Sequence, residues 1–264
     1  MIFNENCLDT MGRMGDNYID LTVTSPPYDN LRTYNGFEFD WKAVLKELYR
    51  VTKVGGVVVW IVGDATIKGS ETGTSFKQAL YAMECGFNLH DTMIYEKSGM
   101  SFPDSNRYHQ IFEYMFVFSK GKPRTFNAIK DRENKYVGSV GGNKRGGLCV
   151  RGKYGARFNV WRFANGKHNS SKDLEAFKHP AVFPEKMVND HILSWSNEGD
   201  LVYDPFMGSG TTAKMAILNN RKWIGSETSK EYCDIIEERL KFTSPQEDLF
   251  SQGINHQQEQ VGNV

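Results

Sequence analysis

The sequence predicts an α/β fold, a doubly wound and mostly parallel sheet with helices on both faces. Apolar runs of strand length alternate with stretches in which apolar residues recur at the spacing of one helix face. Turns that are rich in glycine or contain proline separate these segments. The chain has 264 residues, of which 39% are hydrophobic and 13% aromatic, so it is long and apolar enough to bury a core.

The first half of the chain alternates strands with helices. Residues Ile19 to Val23 alternate apolar and polar side chains, and the prolines that follow end this strand. Apolar residues at positions 41, 44, 45, 48 and 51 predict a helix from Trp41 to Val51. The apolar run Val57 to Val62 predicts a central parallel strand. The remaining elements are a helix from Phe76 to Cys85 and strands from Leu89 to Tyr95 and from Ile111 to Phe118.

The last third resumes this alternation after a long glycine-rich stretch without periodicity, in which we expect loops and short strands. From residue 243 onward the chain is rich in Gln, Asn and Ser, which predicts a disordered tail over residues 243–264. The predicted elements are a helix from Glu185 to Ser196, a strand from Leu201 to Tyr203, a helix from Thr211 to Leu218, a strand from Trp223 to Gly225 and a helix from Lys230 to Leu240.

Charge is unevenly distributed, although the net charge of the whole chain is zero. Residues Lys120 to Lys178 contain 15 Lys and Arg against 4 Asp and Glu, a net charge of +11, so the rest of the chain carries −11. A basic lobe on an acidic body is typical of a protein that binds a polyanion such as a nucleic acid, because contacts of Lys and Arg with phosphates supply most of the sequence-independent binding affinity. A solvated basic loop without a ligand is the alternative interpretation.

Several classes of protein are excluded. The longest apolar stretch, Val57 to Val62, is too short to cross a bilayer, and the first residues lack the features of a secretory signal. The four cysteines are scattered without a Cys-x-x-Cys pair, which argues against a zinc site and a disulfide framework. We therefore expect a cytoplasmic protein without a metal.

The segment Thr24-Ser25-Pro26-Pro27-Tyr28 directly follows the first strand. Two consecutive prolines fix the backbone and remove two donors, so carbonyls are presented without a ladder partner. Ligands of open α/β sheets bind at the carboxyl ends of strands, where this segment lies. A hydroxyl, carbonyls and an aromatic ring held there can accept hydrogen bonds from an exocyclic amine and stack a nucleobase. A rigid turn without function is the alternative.

A second motif, Asp204 to Thr212, joins a strand to a helix. Gly208 and Gly210 permit positive φ and let backbone amides approach a ligand at the helix N-terminus. Glu227 ends the next strand at the spacing where an acid holds ribose hydroxyls. The layout predicts an adenosine-containing cofactor. A nucleotide triphosphatase loop would need a lysine at position 211, and a dinucleotide fold would need more strands after the motif.

Taken together, the two motifs resemble those of the β-class of S-adenosylmethionine-dependent DNA amino-methyltransferases. In that family a [Ser/Asp/Asn]-Pro-Pro-Tyr motif precedes Asp-Pro-Phe-x-Gly-Ser-Gly-Thr-Thr, and the target-recognition region lies between them. Here Ser25–Tyr28 comes first, Asp204–Thr212 comes last, and the +11 stretch lies between. The segment His179–Glu185 and the blocks Val62–Asp64 and Glu113–Lys120 are also similar. One departure is Glu5-Asn6-Cys7, where the family usually has Gly-Asp-Cys.

The resemblance implies a circularly permuted Rossmann-like methyltransferase fold. It assigns residues 1–120 to the catalytic half, 121–178 to a target-recognition region and 179–242 to the cofactor-binding half. Catalytic roles are implied for Ser25, Pro26, Pro27 and Tyr28. Together with Glu227, the implied cofactor-binding residues are Asn6, Asp64, His179, Pro180, Asp204, Pro205, Phe206, Gly208, Ser209, Gly210, Thr211 and Thr212.

The implied reaction is methyl transfer from S-adenosylmethionine to an exocyclic amine of a flipped base in double-stranded DNA. By resemblance, Ser25 favours the N4 amine of cytosine over N6 of adenine; a non-catalytic DNA-binding protein of the same fold is the alternative class. Phe158 and Trp161 are predicted core residues of the basic lobe. The predicted DNA contacts are Lys144, Arg145, Arg151, Lys153, Arg157 and Arg162.

Two protein partners are also expected. A cognate restriction endonuclease follows from the family resemblance, which leaves monomer and homodimer both open. The tail segment Gln246–Phe250 resembles the short peptide that docks bacterial and phage proteins on the replicative sliding clamp, and a hydrophobic cap on the last helix is the alternative.

Overall fold

A computed structural model describes residues 1–27, 39–99, 106–142, 147–164, 166, 170–171, 173–179, 182–241 and 243–244. The predictions for Tyr28, Lys144, Arg145, Pro180 and the tail segment Gln246–Phe250 therefore lie outside the described residues, and so does the predicted disorder of the tail from residue 245 onward. Within the described part of the chain, no helix is long and apolar enough to cross a membrane.

The helices and strands of these residues follow the predicted order, with additional short elements. The helices are α1 Cys7–Gly12, α2 Trp41–Val51, α3 Thr74–Glu84, α4 Glu185–Trp195, α5 Thr211–Leu218 and α6 Lys230–Leu240, with a 3₁₀ turn at Leu174–Lys178. The strands are β1 Ile2–Phe3, β2 Ile19–Thr24, β3 Thr52–Val62, β4 Thr66–Ile67, β5 Ser70–Glu71, β6 Asn88–Lys97, β7 Phe112–Ser119, β8 Arg132–Glu133, β9 Val140–Gly142, β10 Leu148–Val150, β11 Tyr154–Gly155, β12 Val160–Phe163, β13 Leu201–Asp204 and β14 Lys222–Ser226.

Eight strands form one sheet in the order β1-β14-β13-β2-β3-β7-β6-β12. Strand β7 is antiparallel to both of its neighbours, β3 and β6, and all other neighbours are parallel. The predicted mostly parallel sheet is confirmed. The central strand β3 is parallel to β2 only, and no local pattern in the chain distinguishes a parallel from an antiparallel neighbour.

Both faces of the sheet are covered by helices, as a doubly wound fold requires. The side chains of β3 alternate: Val57, Val59 and Ile61 pack in the core that also contains residues of α4 and α5. Val58, Trp60 and Val62 pack in the second core, with residues of α1, α2 and α3. A strand that is buried on both faces has to be apolar throughout, which explains the unbroken run in the sequence.

The basic stretch joins the main sheet through one strand, while its other described strands pair only among themselves. Its strand β12 lies at the sheet edge, parallel to β6, and Trp161 is buried in the main core. The prediction that Phe158 is a core residue is wrong, because its side chain is 67% exposed. Phe158 precedes the strand, and the Arg132 guanidinium lies 4.7 Å from the centre of its ring. An exposed ring is thus used as a cation–π partner.

Candidate active site

The two motifs lie side by side at the carboxyl edge of the sheet. Strands β2 and β13 are parallel neighbours, with Val202 opposite Leu21 and Tyr203 opposite Thr22. From β2 the chain continues to β3 on one side, and from β13 it continues to β14 on the other. The crevice between β2 and β13 is therefore the topological switch point, where open α/β sheets bind their ligands.

The buried carboxylate of Asp204 joins the two motifs directly. Its Oδ1 accepts a 2.7 Å hydrogen bond from the Thr24 hydroxyl and a 3.0 Å bond from the Phe206 amide. Its Oδ2 accepts a 2.7 Å bond from the Thr212 hydroxyl, at the start of α5. Burial raises the pKa of Asp204, and these donors act in the opposite direction. Asp204 thus ties the end of β2 to α5 and to the loop that precedes this helix. We call this loop, residues 205–210, the glycine loop.

The glycine loop adopts the backbone conformation that its sequence predicts. Gly208 and Gly210 have φ of +53° and +82°, and Gly210 is the N-cap of α5. A Cβ on Gly208 would lie 3.3 Å from the imidazole of His179, and one on Gly210 would lie 3.0 Å from Ile236. Glycine is therefore required by both the dihedral angles and the close neighbours. His179 is buried, and its ring centre lies 4.4 Å from that of Tyr232.

A cluster of charged side chains around Arg239 contacts the glycine loop. The residues predicted from the sequence to bind the cofactor do not include this cluster. The Arg239 guanidinium is fully buried and donates to the carbonyl of Ser209, in the middle of the loop. It also donates to Asp173 at 2.7 Å and to Glu185 at 3.1 Å. Lys214 forms a second ion pair with Glu185, at 2.8 Å. Two cations and two carboxylates thus neutralise one another, which a buried set of charges requires.

One signal for this cluster is present in the sequence. Cys233 and Ile236 form the buried face of α6, and Arg239 follows at the same three-residue spacing. A charged residue on the buried face of a helix is costly unless it is paired, so it indicates a partner. The identity of that partner depends on segments more than 50 residues away in the chain.

Glu227 and Thr211 complete the part of the site that fits an adenosine-containing cofactor. The Glu227 carboxylate lies beside the loop and accepts 2.9 Å hydrogen bonds from the amides of Gly208 and Ser229. Burial raises its pKa, and these amides lower it. A carboxylate has about four acceptor positions, so capacity for ribose hydroxyls is left. The buried Thr211 hydroxyl, at the start of α5, has no hydrogen-bond partner among the described residues.

The catalytic candidates occupy the other side of the crevice. Ser25 and Pro27 are half-buried and Pro26 is buried. The ring of Phe206, from the cofactor motif, lies 5.1 Å from that of Phe39 and 6.4 Å from that of Trp60. The Phe206 ring therefore anchors the cofactor motif to the core cluster that contains Trp60, which is fully buried.

Two predicted cofactor residues lie at the same sheet edge but have structural partners. The Asn6 side chain caps α1 by accepting from the Leu8 amide at 2.9 Å. Asp64 follows β3, and its carboxylate accepts from the amide and the hydroxyl of Ser75 in the first turn of α3. In this structure both side chains stabilise helix N-termini. Their cofactor contacts stay predictions.

The described DNA-binding candidates differ in exposure and in their partners. Arg151 and Lys153 are exposed in the segment between β10 and β11. Arg157 is ion-paired with Asp131 and Asp190 and packs against a ring, that of Trp161, so its side chain contributes to the fold. Arg162 is exposed and lies 3.5 Å from Glu96. Among the described candidates, Arg151, Lys153 and Arg162 are therefore exposed, whereas Arg157 has structural partners.

Comparison with known proteins agrees with this geometry. The N6_N4_Mtase family model, described as DNA methylase, matches residues 19–238. The chain is 65% identical to the orphan methyltransferase M.BamHII of Bacillus amyloliquefaciens over 240 residues, which cover 86% of this chain and 91% of that protein. It is 32% identical to the Type II methyltransferase M.HpaI of Haemophilus parainfluenzae, covering 89% of this chain and 72% of that protein.

A solved structure shares the fold. PvuII DNA methyltransferase, described as cytosine-N4-specific, superposes with a TM-score of 0.71 at 19% identity, covering 97% of this chain and 89% of that chain. The family match, the relatives and the paired motifs lead to one assignment. The chain belongs to the N6/N4 DNA methylase family, the S-adenosylmethionine-dependent DNA amino-methyltransferases of restriction-modification type.

Proposed function

We propose that this chain methylates the exocyclic N4 amine of cytosine in duplex DNA, at a specific sequence, after the base has flipped out of the helix. The observation that carries the proposal is the Thr24–Asp204–Thr212 connection. It holds Ser25 and Pro26 beside the glycine loop, so an amine bound by the first motif faces a cofactor bound by the second. Holding the two reactants in one geometry supplies a large part of the acceleration.

The cofactor side of the crevice consists of Gly208 to Thr212, with Glu227 as the acceptor for the ribose. S-adenosylmethionine supplies an electrophilic methyl group on a sulfonium when it is bound. The amide groups at the start of α5 and the Thr211 hydroxyl are donors for the polar end of the cofactor. Asp204 acts through its hydrogen bonds to Thr24 and Thr212, and therefore positions both motifs rather than touching the reacting atoms.

On the substrate side, Ser25 and Pro26 supply acceptors. The amine of cytosine is a poor nucleophile, because its lone pair is delocalised into the ring. Hydrogen bonds from the amine to the Ser25 hydroxyl and the Pro26 carbonyl favour a pyramidal nitrogen and stabilise the positive charge that develops on it. Tyr28, which lies outside the described residues, is proposed to stack on the flipped base and to offset part of the unstacking cost.

The choice of cytosine over adenine depends on Ser25 and on the solved neighbour described as cytosine-N4-specific. Unmethylated plasmid DNA is incubated with the protein and S-adenosylmethionine, digested to nucleosides and analysed by mass spectrometry. We expect N4-methylcytosine. N6-methyladenine without N4-methylcytosine would establish the adenine alternative, and transfer of no methyl group to either base would support the non-catalytic alternative.

Sequencing that detects methylated bases, applied to the same plasmid, gives the recognition sequence. The side chains proposed to contact DNA are those of the basic stretch that are exposed, together with Lys144 and Arg145, which lie outside the described residues. We also propose a cytoplasmic location, since the four cysteines are free thiols, as in reducing compartments.

Two partner proposals need separate tests. A restriction endonuclease is proposed because relatives of this chain are Type II methyltransferases, although the relative at 65% identity is named an orphan. Cleavage of unmethylated but not of methylated plasmid by a lysate of the source cells would support it. Docking of Gln246–Phe250 on a sliding clamp is tested by a pull-down, in which deletion of residues 244–264 should abolish the binding.

A further inference from the structure

The short strands of the basic stretch form one two-stranded ribbon. Strand β8 pairs with β11 and β9 pairs with β10, both in antiparallel fashion. Between these pairs, the amide of Asn134 donates to Lys153, that of Gly138 to Arg151, and that of Arg151 to Ser139, at 2.8–3.0 Å. We refer to residues 132–142 and 147–155, the two paired arms, as the ribbon.

The two faces of the ribbon have different chemistry. Residues that are directly opposite in an antiparallel pair share a face, so Val140, Val150 and Leu148 lie together, and their side chains are 60%, 66% and 82% exposed. The next residues along each arm point to the other face. This second face carries Cys149. Arg151 directly follows β10 and belongs to the same face, because the hydrogen bond from its amide to the Ser139 carbonyl continues the pairing in the same register. We call these the Leu148 face and the Arg151 face.

The two segments that flank the ribbon contact α4. Near the C-terminal end of α4, Asn127 donates to the carbonyl of Leu193. About one turn nearer the N-terminal end, Arg157 bridges Asp131 and Asp190. From residue 127 to residue 131 the chain thus runs along α4 in the direction of its first residue, Glu185. Glu185 belongs to the ion cluster that contacts the glycine loop.

The charge and shape of the ribbon fit a nucleic acid groove. Its described arms carry Arg132, Lys135, Arg151 and Lys153 against Glu133 alone. A two-stranded ribbon that is exposed on both faces is only marginally stable by itself, so a binding partner would stabilise it. The major groove of B-DNA is about 12 Å wide and admits such a ribbon.

We propose that the Arg151 face of the ribbon enters the major groove of duplex DNA, where Arg151 reads a base edge and so determines part of the recognition sequence. The short side chains of Ser139, Gly141 and Cys149 let the ribbon backbone approach the floor of the groove. Arginine can contact O6 and N7 of guanine with two hydrogen bonds, a contact that carries sequence information. The inference rests on the proposed function, because it requires a duplex DNA substrate.

Cys149 gives a direct test, since it lies on the Arg151 face and is exposed, whereas Cys7 and Cys233 are buried. The protein is alkylated with iodoacetamide alone and with an excess of the unmethylated plasmid DNA, and the modification of each cysteine is followed by mass spectrometry. We expect DNA to slow alkylation at Cys149 and to leave the half-buried Cys85 unchanged.

A matched variant reports on the opposite face. In Cys149→Ser combined with Val150→Cys, the thiol moves by one residue and points to the Leu148 face. DNA should leave this thiol reactive. Protection of the thiol introduced at position 150, without protection of Cys149 in the wild type, would overturn the proposal, because the apolar face would then be the one that contacts DNA. Protection that needs no DNA but increases with protein concentration would assign the ribbon to contact with a second copy of the chain, and would also overturn it.

The role of Arg151 is tested on a duplex that contains the mapped recognition sequence and on duplexes with single base-pair changes. Arg151→Ala should lower the preference for one base pair by roughly 5- to 150-fold, the loss of one bidentate contact. Val150→Ala, on the opposite face, should retain the wild-type preference. If wild-type protein methylates the duplex and Arg151→Ala keeps full discrimination at each base pair, the inference fails while the proposed function stands. Absence of methylation by the wild type would contradict the proposed function instead.

Discussion

The connection between the two motifs makes a quantitative prediction for Thr24. The Thr24 hydroxyl donates at 2.7 Å to Asp204 Oδ1, and both residues are buried. Replacement of Thr24 by valine keeps the shape of the side chain and removes only this donor. The carboxylate then retains the Phe206 amide and the Thr212 hydroxyl, so one of its three donors is lost.

A hydrogen bond to a charged group contributes about 1.5–3 kcal/mol, so we expect the free energy of unfolding to fall by about that amount at neutral pH. The effect should depend on pH. Burial raises the pKa of Asp204 in the folded protein, and the Thr24 donor acts against this. Without the Thr24 donor, the pKa of Asp204 in the folded protein rises further. The variant is destabilised at pH values above that pKa, where the buried carboxylate is ionised. The deficit of the variant should therefore shrink as the pH falls through the folded-state pKa.

Urea unfolding at neutral and at mildly acidic pH measures this deficit. Thr22→Val is the matched control, because Thr22 lies two residues earlier on the same strand and its buried hydroxyl has no hydrogen-bond partner in the described structure. We expect this control to be as stable as the wild type or more stable. In an Asp204→Asn background, Thr24→Val should cost only about 0.5–1.5 kcal/mol, since the acceptor is neutral.

Loss of the hydrogen bond between Thr24 and Asp204 should also lower the methyltransferase activity. Thr24→Val should lower kcat, because Ser25 is the next residue, and should affect the Kd for S-adenosylmethionine less. The reasoning is refuted if Thr24→Val and Thr22→Val have equal stability at neutral pH, or if the deficit of Thr24→Val is the same in the wild-type and the Asp204→Asn backgrounds.

Three further predictions concern the two sides of the crevice. Ser25→Ala should lower kcat by roughly 100-fold with little change in cofactor affinity, whereas Ser25→Asn, which keeps an acceptor, should retain more activity; equal rates would contradict the acceptor role. Glu227→Gln should weaken cofactor binding in calorimetry, and an unchanged Kd would exclude the ribose contact. Arg239→Lys keeps the charge but loses the planar fork that holds Ser209, so KM for the cofactor should rise while kcat changes little; a lower melting temperature with an unchanged KM would leave Arg239 a purely structural role.

The local elements and the glycine loop were predictable because they depend on short-range chemistry. Helices α2, α5 and α6 begin and end where the apolar periodicity predicts. Gly208 and Gly210 adopt the positive φ that the loop sequence implies. Strand pairing was less accessible, because the periodicity of a strand does not specify its neighbour. For this reason the sequence did not reveal that β12, within the basic stretch, is an edge strand of the main sheet. It also did not reveal that Phe158 is exposed.

The sequence by itself determined the fold class, the family and the order of the two motifs. Each of these depends on residues close together in the chain, whose spacing reports local backbone geometry and chemistry. Only the tertiary structure decided what holds the motifs to each other. Thr24 and Asp204 are 180 positions apart, and Arg239 contacts a loop 30 positions earlier. Such contacts are formed when folding brings distant segments together, and no local pattern of the chain specifies which polar groups will meet.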